Sequence, residues 1–293
     1  MGNNVCCQNV CSRDAAEATE QNVDTIGTIA VRIKEIEAGL EADRFEYTKY
    51  VKELDAATPS SPSSRMHAGD LKHTAKRNPN GTMYEGQVRD GVKQGHGRYK
   101  YVEPPGSYEG QWADNRAHGL GHFKDAAGEY KGYWMSGEKH GLGMEIWFDD
   151  STIFRGMYVS GVKQGDGIYQ WSDGSAYEGQ LRDNVICGHG RLTDEEGVYV
   201  GEFVDNAQHG YGRWDYANGD FYEGQFQDSL RHGDGTLSWT QENKQYRGQW
   251  RNGVPHGKGL VTVRGVVKNA YYLNGKTCTR EAFEKSSTVV PGA

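Results

Sequence analysis

Five histidines, His118, His140, His209, His232 and His256, fall at one equivalent position of a pattern that recurs along the chain, and a histidine column suggests metal chemistry. Spacing opposes it. If each sits in a successive two-stranded unit, neighbours stand two strands apart, about 10 Å. Two ligands on one zinc each lie about 2.0–2.1 Å from it, so one chain cannot chelate with this row. The expectation is that these rings sit beside turns and satisfy backbone groups. No nucleophile–base constellation accompanies them: Gly-x-Ser-x-Gly, a phosphate-loop lysine and a kinase signature are all missing. The chain reads as non-enzymatic, without a cofactor. The other residues arranged for chemistry are at the start, Met1-Gly2-Asn3-Asn4-Val5-Cys6-Cys7 with Cys11 close behind. Loss of Met1 would free Gly2 for myristoylation and leave Cys6, Cys7 and Cys11 for palmitoylation, although Cys6 stands where the consensus has Ser or Thr. One acyl chain holds a protein to a membrane only marginally, and a second makes the attachment stable.

The elements that carry these residues follow from the period. An aromatic-x-Gly returns eight times at spacings of 22 to 24 residues, at Tyr84, Tyr108, Tyr130, Phe154, Tyr177, Tyr199, Tyr222 and Tyr246. Each is followed by a Gly-x-Gly ending at Gly97, Gly121, Gly143, Gly167, Gly190, Gly212, Gly235 or Gly259. Such a period means an array of like units. In Tyr108-Glu109-Gly110-Gln111-Trp112 the period of two puts Tyr108, Gly110 and Trp112 on one strand face. Asp90-Gly91, Ser136-Gly137, Ser160-Gly161, Asp183-Asn184 and Asn252-Gly253 are hairpin dipeptides. An apolar residue lies two positions after Gly-x-Gly (Tyr99, Phe123, Tyr169, Leu192, Trp214, Leu237, Val261), and Glu145 alone breaks the series. Each unit is therefore read as a β-hairpin. Glycine inside a strand marks a close approach, here expected from the ring of a neighbouring unit. A degraded ninth copy is expected with Tyr272 as its aromatic and Gly275 at its turn. With 41 glycines and a mean hydropathy of −0.82, the composition suits a thin sheet without a thick core.

Units such as Tyr108-Glu109-Gly110-Gln111-Trp112 followed by His118-Gly119-Leu120-Gly121 resemble MORN (membrane occupation and recognition nexus) repeats over roughly residues 80–275. Gln94, Gln164 and Cys187 depart from the usual His before Gly-x-Gly. The resemblance implies an all-β fold, an elongated single-layer sheet of stacked hairpins with a shallow groove, used for scaffolding, dimerisation and contact with membranes or partner helices. The aromatics expected to line that groove are Tyr108, Trp112, Tyr130, Trp134, Trp147, Tyr158, Tyr169, Trp171, Tyr199, Trp214, Tyr222 and Trp250.

The chain then divides into an acylated flexible tail at 1–23, one long α-helix at 24–56, a polar linker at 57–79, the repeats at 80–275 and a C-terminal tail at 276–293. Ile26, Ile29, Ile33, Ile36, Leu40, Tyr47, Tyr50 and Leu54 fall at heptad spacing. That seam serves equally for packing on the sheet or for a short coiled coil that dimerises or recruits a partner. The net charge is −7, and residues 80–275 carry 20 Lys+Arg against 26 Asp+Glu, or −6, which excludes a nucleic-acid surface. No apolar run of 18 residues occurs, and Cys187 and Cys278 alone make a poor disulfide framework, so a cytosolic setting follows. The function expected is a lipid-anchored scaffold at the cytosolic face of the plasma membrane or a cortical inner membrane system. Its partners would be a protein helix or a second copy, with the membrane held through acyl chains. The alternative is a regulatory subunit whose repeats bind phosphoinositide headgroups.

Overall fold

The computed structural model describes residues 71–288; Gly2, Cys6, Cys7 and Cys11, expected to be acylated, and the helix expected at 24–56 lie outside them. The described residues are almost wholly open antiparallel β-sheet, nineteen strands in all, and fall into two compact units that meet in sequence at Val185 and Ile186.

The first unit holds β1 (Lys72–Arg77), β2 (Met83–Arg89), β3 (Val92–Val102), β4 (Pro105–Ala113), β5 (Arg116–Asp125), β6 (Gly128–Met135), β7 (Glu138–Trp147), β8 (Ile153–Val159), β9 (Val162–Gln170) and β10 (Ala176–Arg182). The second begins within β11 (Val185–Thr193) and continues through β12 (Gly197–Val204), β13 (Ala207–Tyr216), β14 (Phe221–Gln227), β15 (Leu230–Trp239), β16 (Lys244–Arg251), β17 (Val254–Val263), β18 (Val266–Leu273) and β19 (Lys276–Cys278), closing on α1 (Arg280–Thr288). Three of these elements, β1, β19 and α1, fall where linker and tail were expected, and β19 pairs antiparallel with β18. β1 pairs antiparallel with β2, and α1 sets Phe283 5.8 Å from Tyr271.

The two glycines of Gly-x-Gly have separate tasks. In β4–β5, Gly110 faces Gly121 but Trp112 faces Ala117, so two extra residues bulge out of the second strand. The first glycine of the motif, Gly119, sits in that bulge at φ +60°, a left-handed conformation that glycine adopts without a Cβ clash. The amide after it is satisfied by the opposite strand: Leu120 N–H donates to Gln111 Oε1 at 3.1 Å, as Asp234 does to Gln225 at 2.8 Å. The second glycine is a floor. A methyl at Gly121 would stand 2.5 Å from Tyr108 Cζ, within the same hairpin. The ring that approaches thus belongs to the glycine's own unit, not to a neighbour as the sequence suggested. The ring lies flat along its own strand because its hydroxyl has a partner there: Tyr108 Oη donates to Gln111 O at 2.8 Å, and Tyr84, Tyr130, Tyr177, Tyr199, Tyr222 and Tyr246 make the same bond three residues on.

Each turn is fastened to the hairpin before it. Asn115 N–H donates to Lys93 O at 3.1 Å, and Gly137, Gly161, Asn184, Asn206, Ser229, Gly253 and Gly275 repeat the bond about one period apart. The histidine slot adds to this fastening. His140 Nδ1 accepts from Ser160 N–H at 3.4 Å and His256 Nδ1 from Asn274 N–H at 3.2 Å, while Gln94 and Gln164 donate to Asp114 and Asp183 at 2.7 Å. Among the described residues no cluster of three or more His, Cys, Asp or Glu could hold a metal. The ninth copy differs from expectation. Tyr272 faces Gly257 as Trp112 faces Gly95, so it fills the tryptophan slot, and Lys268 stands where the ring over the glycines would be.

Candidate functional site: the aromatic face

Alternation brings the repeat aromatics to one face, where they form an edge-to-face ladder. In the first unit the contacts run Tyr84–Trp112 (5.5 Å), Trp112–Tyr108 (5.0 Å), Tyr108–Trp134 (5.3 Å), Trp134–Tyr130 (5.2 Å), Tyr130–Tyr158 (5.3 Å) and Tyr158–Phe154 (5.6 Å). Each interplanar angle is between 84° and 89°. In the second unit Tyr199, Phe226, Tyr222, Trp250, Tyr246 and Tyr272 continue the same alternation at 5.0–5.4 Å. Such pairs add about 0.5–1.5 kcal/mol each beyond area burial. Indole N–H groups tie one hairpin to the last, Trp112 Nε1 to Gly97 O at 2.8 Å and Trp250 Nε1 to Gly235 O at 3.1 Å.

This ladder divides the residues expected to line a groove. Tyr108, Trp112, Tyr130, Tyr158, Tyr199, Tyr222 and Trp250 are each at most 5% exposed and packed against their own sheet, so they have almost no surface to offer a partner. Their aromatic type is accounted for by ladder packing. Trp134, Trp147, Tyr169, Trp171 and Trp214 are half-buried and keep accessible ring surface. Within the first unit a cleft of about 670 Å³ opens beside the ladder, walled by Tyr101, Phe123, Trp134, Ile146 and Trp147, with Arg116, Asp125, Lys139 and Glu145 at its polar margin. Tyr101 and Ile146 were not foreseen as lining; Tyr101, two residues beyond Tyr99 and so on the same face, carried the signal.

Glu145, the one break in the apolar series, is explained by its neighbours. Lys139 and Lys163 both pair with it, Lys163 Nζ at 3.6 Å from Oε2, and Tyr158 Oη donates to Oε2 at 2.8 Å. The side chains of Glu145 and Lys163 are only 16% and 12% exposed. Burial pushes the Lys163 pKa below the ordinary lysine value, against the opposing pull of Glu145. Lys163 Nζ also lies 4.6 Å from the Trp147 ring centre. Lys93, lowered likewise by burial, stands 3.9 Å from Tyr99 and 4.6 Å from Trp112, and the Arg231 guanidinium 4.5 Å from Trp250. These four cations share one repeat slot. Burial pushes the phenols of Tyr84 and Tyr169 up to about 12.

The fold and face define a class: an array of β-hairpin repeats whose tyrosines close over paired glycines. The chain belongs to the MORN-repeat family, whose model matches residues 84–103, 108–129, 130–152, 154–176, 177–197, 199–221, 222–244 and 246–262. No curated protein matches the chain. Among solved structures, the TCP10c domain of Drosophila melanogaster Sas-4 is similar at 11% identity over 68% of this chain and 97% of that one, with a TM-score of 0.24, too low to inform the comparison further. No helix among the described residues is long and apolar enough to cross a membrane.

Proposed function

We propose that the protein is a non-enzymatic, membrane-tethered scaffold that uses the aromatic cleft of its first unit to hold a protein partner, either a helical segment or a second copy. The observation that carries this reading is the cleft itself. Half-buried Trp134 of the ladder and half-buried Trp147 wall this cleft, while the other ladder rings are buried, and rigid aromatic anchors on a preorganised face lose little entropy on binding. Gly2 with Cys6, Cys7 and Cys11 supplies the tether, since an acidic chain gains nothing in bulk from anionic lipid. MORN repeats are generally found in membrane-associated or lipid-binding proteins. The setting proposed is the cytosolic face of the plasma membrane or a cortical inner membrane. Proximity labelling in cells tests both halves. Gly2→Ala should abolish membrane neighbours, and Trp147→Ala should lose specific protein neighbours while membrane labelling persists. A Gly2→Ala protein that stays on membranes removes the tether, and an unchanged set of protein neighbours in Trp147→Ala removes the cleft.

A phosphoinositide-sensing role is the second reading, favoured by the shared slot of Lys93, Lys139, Lys163 and Arg231. It is the weaker one, because Lys139 and Lys163 already neutralise Glu145 and Lys93 is committed to rings. Flotation of the Gly2→Ala chain with vesicles containing phosphatidylinositol bisphosphate, against vesicles without it, separates the two.

A further inference from the structure

β19 covers only half of its neighbour. β18 pairs with β17 from Val266, opposite Val263, to Tyr272, opposite Gly257, but on its other side β19 reaches only Tyr271, Tyr272 and Leu273. Among the described residues nothing pairs with the outer edge of Val266-Val267-Lys268-Asn269-Ala270. The turn fixes where the free groups point. Arg264 and Gly265, at φ +49° and +81°, close a two-residue hairpin, so Val266 N–H returns to Val263 and the bonding direction then alternates along the strand. Val266, Lys268 and Ala270 thus bond to β17, while Val267 and Asn269 aim both N–H and C=O outward. Such an edge is a template for another strand. Val266 and Val267 are 59% and 57% exposed, one on each face of the sheet, and Val263 and Leu260 are exposed beside them on β17. β1, which likewise has a single strand neighbour among the described residues, is defended: it carries Lys72, His73, Lys76 and Arg77 within six residues. The surroundings of β18 are also distinct in charge. Residues 252–280 hold Lys258, Arg264, Lys268, Lys276 and Arg280 and no Asp or Glu, in a chain of net charge −7.

We propose that the open edge of β18 takes up an extended acidic segment of another protein by strand addition, with a carboxylate of that segment opposite Lys268. Three observations choose this occupant. Outward N–H and C=O groups at Val267 and Asn269 are matched by a peptide backbone, which is how an edge recognises an added strand. The carboxylate-free setting selects acid: Lys268 is exposed, and Arg264 and Lys276, both exposed, lie at the turns before and after β18. A second copy fits in neither arrangement. Aligning these five residues antiparallel with the same five of another chain sets Lys268 directly opposite Lys268, and aligning them with β1 joins two cationic edges. Like charges directly opposite destabilise a strand pair. The edge belongs to the second unit, and the proposal is independent of what the aromatic cleft of the first holds.

The probe is a rhodamine-labelled peptide, Thr-Val-Thr-Glu-Thr-Val-Thr, beside a second peptide with Lys in place of Glu, each titrated with the full chain by fluorescence anisotropy. Alternation sets the peptide's Glu over Lys268 and its valines beside Val266 and Ala270. The Glu peptide should bind saturably and about five- to tenfold more tightly than the Lys peptide, and Lys268→Glu should reverse that order. Val267→Pro removes an outward N–H that β17 does not use, a position where a sheet tolerates proline, and should abolish binding. Bound Glu peptide should slow amide exchange at Val267 and Asn269 and leave Lys268, already bonded to β17, unchanged. If Val267→Pro disturbs the sheet, the reversal in Lys268→Glu decides alone. Failure of the Glu peptide to bind, an order that Lys268→Glu leaves unchanged, or unaltered exchange at Val267 and Asn269 would each overturn the proposal. So would protection of those amides by phosphatidylserine vesicles in place of peptide, or dimerisation of the chain that Val267→Pro abolishes.

Discussion

Gly235→Ala is the sharpest test of the ring-over-glycine principle. A methyl there would stand 2.5 Å from Tyr222 Cζ and 2.7 Å from Cε2. The ring is 0% exposed, bonded to Gln225 O at 2.9 Å and set edge-on to Phe226 and Trp250, so it has nowhere to move inside the face. Accommodation means ejecting it. An aromatic side chain buries about 150–250 Å², which at about 25 cal/mol per Å² is an upper figure of about 4–6 kcal/mol; we expect a loss of about 3–4 kcal/mol, in line with large truncations of buried rings. Gly265→Ala is the control, since its φ of +81° is strained for alanine but nothing lies within 4 Å of the new methyl; its cost should be about 1 kcal/mol. Urea unfolding measures the totals. Because each unit of such an array touches only its neighbours, amide exchange should show β14 and β15 opening first in Gly235→Ala. Adding Tyr222→Phe should not rescue it, because Phe154, without a hydroxyl, still lies 2.6 and 2.7 Å from a methyl at Gly167. Equal costs for Gly235→Ala and Gly265→Ala, or rescue by Tyr222→Phe, would refute the reasoning.

Tyr222→Phe alone should cost about 1 kcal/mol by urea unfolding, through the orphaned Gln225 carbonyl. Glu145→Leu would restore the apolar repeat pattern yet should destabilise by about 3 kcal/mol, since it leaves Lys139 and Lys163 charged and unpaired. Lys163 has a lowered folded pKa, so between that value and 10.5 the unfolded chain binds more protons and stability rises with pH. Glu145→Leu should steepen that rise, checked by urea unfolding at neutral and mildly alkaline pH. Tyr84 and Tyr169 act oppositely: their folded pKa values of about 12 exceed 10.0, so their contribution is intact below pH 10 and is lost as pH rises towards 12. Phenolate absorbance should therefore appear together with loss of β-sheet circular dichroism, and ionisation ahead of unfolding would contradict burial of these rings.

The hairpins, their turns and the aromatic face were all legible, because a period of two within a period of 22 to 24 states which side chains share a face. Which ring covers which glycine was not. Alternation fixes the face, while the choice between own and neighbouring unit depends on the Tyr108–Gln111 hydrogen bond, a feature of side-chain rotamer. The unequal jobs of Gly119 and Gly121 depend on a bulge that the motif alone does not announce. Glu145 looked like a flaw because its cations, Lys139 and Lys163, lie six residues upstream and eighteen downstream, and only register joins them. The groove was overdrawn for a related reason: Tyr108 and Trp134 are both aromatic on the same face, but Tyr108 is fully buried and Trp134 only half-buried. β1 escaped notice in Lys72-His73-Thr74-Ala75-Lys76-Arg77, a stretch too charged to read as a strand.

The backbone bonds that fasten each turn to the preceding hairpin have an evolutionary consequence. Every one of them, from Asn115 to Lys93 through Gly275 to Pro255, joins like positions in adjacent copies. Excising or duplicating a whole period would leave the flanking copies facing partners of the same kind, with the same donors and acceptors in place. Copy number can therefore drift by gene slippage with little folding penalty, whereas a one-residue insertion inside any copy would misalign ring, floor and bulge together.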